Sequence, residues 1–165
     1  MPVGLRIEHG PHRGVSRAEL LRRVLAIFEC LQLGKSELSI VLTGDDQIQK
    51  LNKLYRAKDR PTDVLAFAMR EGPFKGVAGD LLGDVVVSVP RARHQAGERG
   101  VPIMAEITML VAHGILHLIG WDHDTPAKDR RMRRETDRLC AAALRTPLVA
   151  AVAPARRARR VGTRG

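Results

Sequence analysis

Aromatic residues are scarce in this chain of 165 residues, at 3%, and only two cysteines occur. A core with so few rings must be aliphatic, and the hydrophobic share of 44% is ordinary for a globular protein. Cys30 and Cys140 each fall within an apolar helical pattern, which predicts buried thiols rather than a disulfide. The length fits one domain, which we place at residues 1–145.

Long apolar runs are also missing. None reaches the roughly 20 residues that a transmembrane helix needs, and the first 25 residues carry charges where a signal peptide would be apolar. We therefore expect a cytoplasmic protein that has no membrane partner.

Positive charge, in contrast, is in excess, with a net charge of +10. Residues 146–165 contain five arginines and no acid, so half of this charge belongs to a segment whose Ala, Pro and Arg composition predicts a disordered tail. The remaining body is still basic. This favours a polyanionic partner such as nucleic acid, although a solvated basic surface would have the same composition.

Hydrophobic periodicity predicts alternating strands and helices up to residue 90 and mainly helices afterwards. In the first helix, Ser16 and Glu19 have capping-box spacing and Gly34 is the expected stop. In the second helix, which follows Gly44, the apolar face includes Leu54 and Tyr55. The simplest architecture is an α+β domain with one mixed sheet packed with helices. The predicted strands are 3–7, 38–42, 64–69 and 81–89. Besides the second helix, the predicted helices are 16–33, 91–99, 103–119 and 126–144, and residues 71–80 are a glycine-rich loop.

Three of the six histidines lie in one segment, H-G-I-L-H-L-I-G-W-D-H, from His113 to His123. On a helix, His113 and His117 are one turn apart and project from the same face. Gly120 would end the helix and let the chain turn, so that His123 reaches the same ion. Three neutral imidazoles leave a fourth position for water, as in a catalytic zinc site. The spacing thus predicts a hydrolase with one divalent metal, preferably zinc; the alternative is three separate core or surface histidines.

The spacing H-x-x-x-H-x-x-G-x-x-H also occurs in the metzincin proteases. There a Glu after the first His acts as general base, whereas Gly114 has no side chain that could accept a proton. The nearest upstream carboxylate on the helix, Glu106, would lie about 10 Å from His113 along the axis at about 1.5 Å per residue. Ordinary zinc peptidase chemistry is therefore disfavoured, and the identity of the general base stays open.

These residues resemble the YbeY family, bacterial endoribonucleases involved in ribosomal RNA maturation. The resemblance rests on the histidine segment, on N-K-L-Y-R-A-K-D-R-P-T-D-V-L-A-F at 52–67 and on L-G-D-V-V-V-S at 82–88, and it covers roughly residues 3–142. It implies a zincin-like α+β single domain with a mixed four-stranded sheet and a metal site on a long helix and the following turn. It further implies a divalent metal, usually zinc, and hydrolysis of single-stranded RNA. The implied setting is maturation of the small-subunit rRNA 3′ end and ribosome quality control, with ribosomal proteins or an assembly GTPase as partners.

The resemblance also places the functional arginine of the family on Arg56. A forked guanidinium near a metal would stabilise the negative charge that phosphodiester hydrolysis builds, although the residue pattern alone permits a solvated charge after a helix. Lys58 and Arg60 are candidates for RNA binding, or else exposed loop charges. Asp122 and Asp124 flank a ligand and could orient an imidazole or serve as capping and bridging groups.

The chain departs from the family pattern in three places. Ala66 and Ala68 stand where members often have the Ser and Pro of L-S-F-P, the arginine-rich tail is an addition, and the segment after His123 is basic instead of acidic. These departures concern RNA selection more than the metal site, because phosphate contacts add affinity without reading sequence.

The leading hypothesis is therefore a metal-dependent endoribonuclease in which water on the metal attacks an RNA phosphodiester. A zinc peptidase or other metallohydrolase, and a ribosome-assembly factor that is not catalytic, are the alternatives.

Overall fold

The computed structural model describes residues 3–69 and 81–145. The strands are β1 (Val3–Ile7), β2 (Glu37–Thr43), β3 (Val64–Ala68) and β4 (Leu81–Ser88), and the helices are α1 (Arg17–Cys30), α2 (Asp45–Arg56), α3 (Val89–Arg99), α4 (Ile103–Leu118) and α5 (Pro126–Arg145). The predicted glycine-rich loop at 71–80 and the predicted disorder of the tail at 146–165 lie outside the described residues.

The four strands form one sheet in the order β1-β2-β4-β3. β1, β2 and β4 run parallel, and β3 pairs antiparallel with β4 at the edge. The predicted mixed sheet is thus confirmed. β4 has a partner on both sides, which explains its nearly continuous run of branched aliphatic residues.

The two faces of the sheet are packed differently. Side chains alternate along each strand, so Val85 and Val87 face the main core while Val86, between them, faces the opposite side. The main core combines this first face with apolar residues of α1, α4 and α5. On the opposite face, hereafter the open face, a small cluster of Val41, Leu65 and Val86 packs against α2.

The boundaries of α1 show where local sequence signals succeed and fail. Ser16 caps the helix, since its hydroxyl accepts the backbone N–H of Glu19 at 3.2 Å, as predicted. The predicted end at residue 33 is wrong. The helix ends at Cys30 because Gln32 takes a left-handed conformation, with φ of 57°, before Gly34 is reached.

The second helix contradicts the predicted apolar face. Ile48 is fully buried, but Leu54 and Tyr55 are 71% and 58% exposed. A helix of 12 residues lying over a small cluster does not bury its whole apolar stripe, so its last turn leaves these side chains at the surface.

Both cysteines are free thiols and partly buried, in agreement with the prediction of no disulfide. Burial raises the pKa of the Cys140 thiol to about 11. Within residues 3–69 and 81–145, no single helix is long and apolar enough to cross a membrane, although α3 and α4 pass that test as a pair across a bend of 115°.

Candidate metal centre

Helix α4 carries two of the three predicted ligands. Most of its residues are buried, as expected for a helix that is apolar on nearly all sides and surrounded by other elements. His113 and His117 are the partly exposed members of its cleft-facing side. The core therefore fixes the helix axis, and with it the spacing of the two imidazoles.

Gly114, next to the first ligand, is required by packing. A Cβ at this position would lie 2.8 Å from Cγ1 of Val85 on β4, closer than carbon atoms approach without displacement. The helix thus lies directly against the sheet beneath the site. A glutamate at 114 would not fit, which gives a steric reason for the absence of the protease-type base.

The turn after α4 brings in the third histidine. Gly120 has φ of +104°, a conformation that glycine adopts readily. The backbone N–H groups of Gly120 and Trp121 donate to the carbonyls of His117 and Leu116 at 3.0 and 2.9 Å, which satisfies the end of the helix. The predicted glycine bend toward His123 is confirmed.

The three imidazoles face one another. The ring centroids of His113 and His117 are 4.8 Å apart, and His123 lies 5.5 and 5.0 Å from them. One nitrogen from each ring lies within 4.8 Å of the other two. Tetrahedral zinc at about 2.0–2.1 Å would need nitrogens about 3.4 Å apart, a spacing within this upper limit of 4.8 Å. The histidine triad can therefore hold a metal ion.

The electrostatics of the triad suit a cation. Burial, followed by the neighbouring His117 and His123, lowers the pKa of His113 to about 4. Burial and His123 also lower the pKa of His117. Both rings are consequently neutral at pH 7, the state in which imidazole binds a metal.

A cleft of about 530 Å³ separates the triad from a second group of polar side chains. Arg56, Lys58 and Arg60 line it together with His113, His117 and His123. The charge of Arg56 lowers the pKa of His117 further, after burial and His123. The predicted catalytic and RNA-binding residues thus share one cleft with the predicted metal ligands.

Several contacts hold the guanidinium of Arg56. Its Nη1 donates to the carbonyl of the preceding residue, Tyr55, at 3.3 Å. Its Nη2 donates to the carbonyl of Ala66 on the edge strand at 2.9 Å. Its Cζ also lies 4.9 Å from the centroid of the Phe67 ring, within cation–π range. The alanine that departs from the family pattern therefore contributes its backbone to the site.

The connection from α2 to β3 depends on Asn52, which the sequence analysis missed. Its amide is buried and donates to the carbonyl of Arg60 at 2.9 Å. Ala57 supplies the left-handed residue after the helix, with φ of 59°. A polar residue on the buried side of an amphipathic helix was the available signal, because such groups need a partner.

Asp122 and Asp124 have the capping and bridging roles that were one of the two alternatives. Asp122 Oδ1 accepts the backbone N–H of His123 at 2.7 Å, and Asp124 forms an ion pair with Lys128 at 3.4 Å. Asp63 also lines the cleft, and its carboxylate accepts the N–H of Val64 at 2.8 Å and a side-chain N–H of Gln95 at 3.2 Å.

The remaining candidates lie away from the triad. Glu106 is buried, with its Oε1 3.3 Å from Nε of Arg99, so it is directed to α3 and not to the cleft. His9 and His94 are exposed. His12 is partly buried, and its Nε2 lies 2.9 Å from the carbonyl of Glu8.

Fold and site together define a class: a single α+β domain whose long helix and following turn present three histidines that can hold a metal. Comparison with known proteins identifies the family. The family model described as "Endoribonuclease YbeY" matches residues 13–143, and the chain belongs to this family. Its members are named as endoribonucleases, which are hydrolases of RNA phosphodiester bonds. The family resemblance seen in the sequence is therefore confirmed.

Individual relatives point to the same family. A Synechocystis protein named Endoribonuclease YbeY is 46% identical over 118 residues, a match that covers 67% of this chain and 66% of the relative. Relatives of the same name from Anaeromyxobacter and Halalkalibacterium halodurans are 43% and 39% identical, with coverage of 86% and 82% of this chain and 72% and 92% of the relatives. The solution structure of a Thermotoga maritima protein has the same fold, with a TM-score of 0.58, 24% identity and coverage of 86% of this chain and 88% of that one.

Proposed function

We propose that this protein is a metal-dependent endoribonuclease that hydrolyses phosphodiester bonds in ribosomal RNA. One observation carries the proposal: in a chain of the endoribonuclease YbeY family, three converging imidazoles face Arg56 across a single cleft. A metal site supplies the hydrolytic chemistry, and a guanidinium opposite it supplies a fixed positive charge for a phosphate.

His113, His117 and His123 would hold the ion, preferably zinc because three nitrogen donors suit it. Such a metal supplies Lewis acidity and activates water at neutral pH. The guanidinium of Arg56, anchored on Ala66 and Phe67, stabilises the charge that develops on the non-bridging phosphate oxygens. Because these contacts already orient it, little reorganisation is needed when the substrate is bound.

The structure weighs against the peptidase alternative at two positions. The contact with Val85 leaves no room for a base at Gly114. Peptidases of this general shape would bind a peptide along the edge strand by backbone hydrogen bonds, yet the Ala66 carbonyl on that strand already accepts Arg56. An arginine in this place matches a phosphate better than a peptide.

The more specific expectations from the sequence belong to the same proposal. They are cleavage of single strands, action at the small-subunit rRNA 3′ end and in ribosome quality control, contacts with ribosomal proteins or an assembly GTPase, and a cytoplasmic location. Lys58 and Arg60, at the same cleft, support phosphate binding. We further propose residues 1–145 as the hydrolase domain and 146–165 as a basic tail with five arginines.

The test combines metal analysis with two substrates. Purified protein is analysed for bound elements and then incubated with structured ribosomal RNA and with casein, each with and without chelator. We expect about one zinc per chain and RNA cleavage that chelator abolishes and added zinc restores. Chelator-sensitive proteolysis with intact RNA would refute the proposal. Normal rRNA maturation in cells that carry only Arg56→Ala or His117→Ala protein would favour the non-catalytic assembly factor.

A further inference from the structure

The single tyrosine of the chain lies on a ridge between two recesses. One recess is the metal cleft. The other, of about 650 Å³, lies on the open face of the sheet and is called here the open-face groove. Tyr55 lines the groove, and its neighbour Arg56 lines both recesses. A ligand that contacts Arg56 in the cleft can therefore reach Tyr55 by crossing one side chain.

The Tyr55 ring is exposed but held in place. It is 58% exposed, and its centroid lies 5.2 Å from that of Phe67 in an edge-to-face contact with an interplanar angle of 61°. The same Phe67 ring also supports the guanidinium of Arg56. One ring of β3 thus fixes both side chains relative to each other, while a large part of the tyrosine surface stays open.

We propose that Tyr55 is a stacking platform for the base of a nucleotide next to the phosphate held by Arg56. The inference rests on the proposed function. Exposed aromatic rings beside a basic track are how proteins hold single-stranded nucleic acid. A base within a duplex is stacked on its own neighbours and cannot lie against a protein ring. A platform at this position would therefore give the enzyme its preference for single strands.

The distribution of charge around the ridge supports this orientation of the strand. On the cleft side, Arg56, Lys58 and Arg60 offer positive charge to phosphates. On the groove side, the described lining includes the carboxylates of Asp84 and Glu8, with Ser39 beside Asp84 in register on β2. Apart from Arg56, the cation in this lining is Arg6, whose Nε forms an ion pair with Glu8 at 2.9 Å, so its charge is already compensated. Carboxylate and hydroxyl groups accept hydrogen bonds from base edges and disfavour phosphates. The backbone would follow the cleft and the base would turn toward the groove.

The test compares three variants on substrates that lack single bases. Tyr55→Ala removes the platform, and Tyr55→Trp keeps a stacking ring. Leu54→Ala changes a neighbour that is even more exposed than Tyr55 but does not line the groove. A single-stranded oligoribonucleotide with a mapped cleavage position is prepared with an abasic nucleotide at each flanking position in turn. Values of kcat/KM are measured for every pair, with melting temperature and metal content as checks of folding.

At one flanking position, we expect the abasic substitution to lower kcat/KM of the wild-type protein about tenfold, the usual size of one base–aromatic stack. Tyr55→Ala should lose about the same factor on the intact substrate and nothing further on that abasic one. Tyr55→Trp should behave like wild type, and so should Leu54→Ala.

Equal sensitivity of Tyr55→Ala and wild type to every abasic position would overturn the inference and leave the proposed function standing. The inference would also be overturned if Tyr55→Ala lost activity on ribosomal particles but cleaved free oligonucleotides normally, because the ring would then contact a protein. A wild-type protein that cleaves none of these RNAs would refute the proposed function itself.

Discussion

The two walls of the metal cleft are built in different ways. The histidine wall consists of α4 and the turn to His123, and α4 is almost entirely enclosed by the core. The arginine wall consists of Arg56 and the connection at 57–63, whose side chains are mostly exposed. Packing fixes the first wall, whereas individual hydrogen bonds fix the second.

Because of this difference, substitutions on the histidine wall should affect the stability of the protein, whereas substitutions on the arginine wall should affect catalysis. On the histidine wall, a change of one carbon atom beside the ligands is transmitted to the sheet, since Gly114 touches Val85. On the arginine wall, the functional groups can be removed while the core stays intact. Variants of the two walls should therefore differ in whether they lose metal, stability or turnover.

Removing a ligand should have the largest effect. His117→Ala leaves two imidazoles for the ion, and we expect metal affinity to fall more than about 100-fold, beyond the cost of losing an outer-shell partner. Elemental analysis and cleavage assays measure the loss. His9→Ala, an exposed histidine outside the cleft, is the control. Full metal content in His117→Ala would show that the triad is not the metal site.

Removing the guanidinium of Arg56 should slow turnover strongly and leave the metal content unchanged. We expect Arg56→Ala to lower kcat about 100- to 1,000-fold, the range for one lost donor to a transition-state charge. Arg56→Lys should restore little, because an ammonium cannot reproduce the fork. Metal content and melting temperature should match those of Lys50→Ala, an exposed cation on the same helix. A drop in kcat that merely follows a loss of metal would argue against a separate role for Arg56.

A methyl group at Gly114 should test the packing of the histidine wall. Gly114→Ala forces Val85 or α4 to move, and we expect a loss of about 1–3 kcal/mol in the free energy of unfolding, the usual cost of overpacking. Gly97→Ala is the matched control, since a Cβ there meets open space. It should stabilise α3 by about 0.5–1 kcal/mol. Denaturant melts of the two variants measure both values, and equal stability would contradict the close contact.

The sequence predicts the histidine wall better than the arginine wall, for a physical reason. The α4 pattern is local: helical spacing sets His113 and His117 on one face, and Gly120 marks the turn. The steric role of Gly114 is not local, because it depends on Val85, 29 positions earlier in the chain. The sequence shows that residue 114 has no side chain, but it does not show that packing against Val85 is the reason.

Predicting the arginine wall requires contacts between elements that are distant in the sequence. The apolar stripe of α2 predicts a buried last turn, yet Leu54 and Tyr55 are exposed because the cluster on the open face is small. The anchoring of Arg56 on Ala66 joins a helix end to an edge strand, and no spacing rule predicts it. The functional role of Arg56 was predicted from the family resemblance alone.

Acid should weaken the histidine wall of the metal-free protein. The folded-state pKa of His113 is about 4 against a usual value of 6.5, so the unfolded chain binds more protons between these values. The free energy of unfolding should therefore fall as the pH drops from about 6.5 to about 4 and level off below. Melts of chelator-treated protein measure this, with His113→Gln as the reference that lacks the group. An identical pH profile for both proteins would contradict the assigned shift.

The smallest effect should come from single phosphate contacts on the arginine wall. Lys58→Ala removes one cation from the cleft, so the slope of log affinity for single-stranded RNA against log salt should become shallower by about 0.7. Binding at physiological salt should weaken only a few-fold, and kcat should stay near wild type because Arg56 is untouched. Lys35→Ala, an exposed lysine that does not line the cleft, controls for net charge. If both variants change the slope equally, Lys58 acts through the overall charge of the protein. That result would contradict specific binding of phosphates along the cleft.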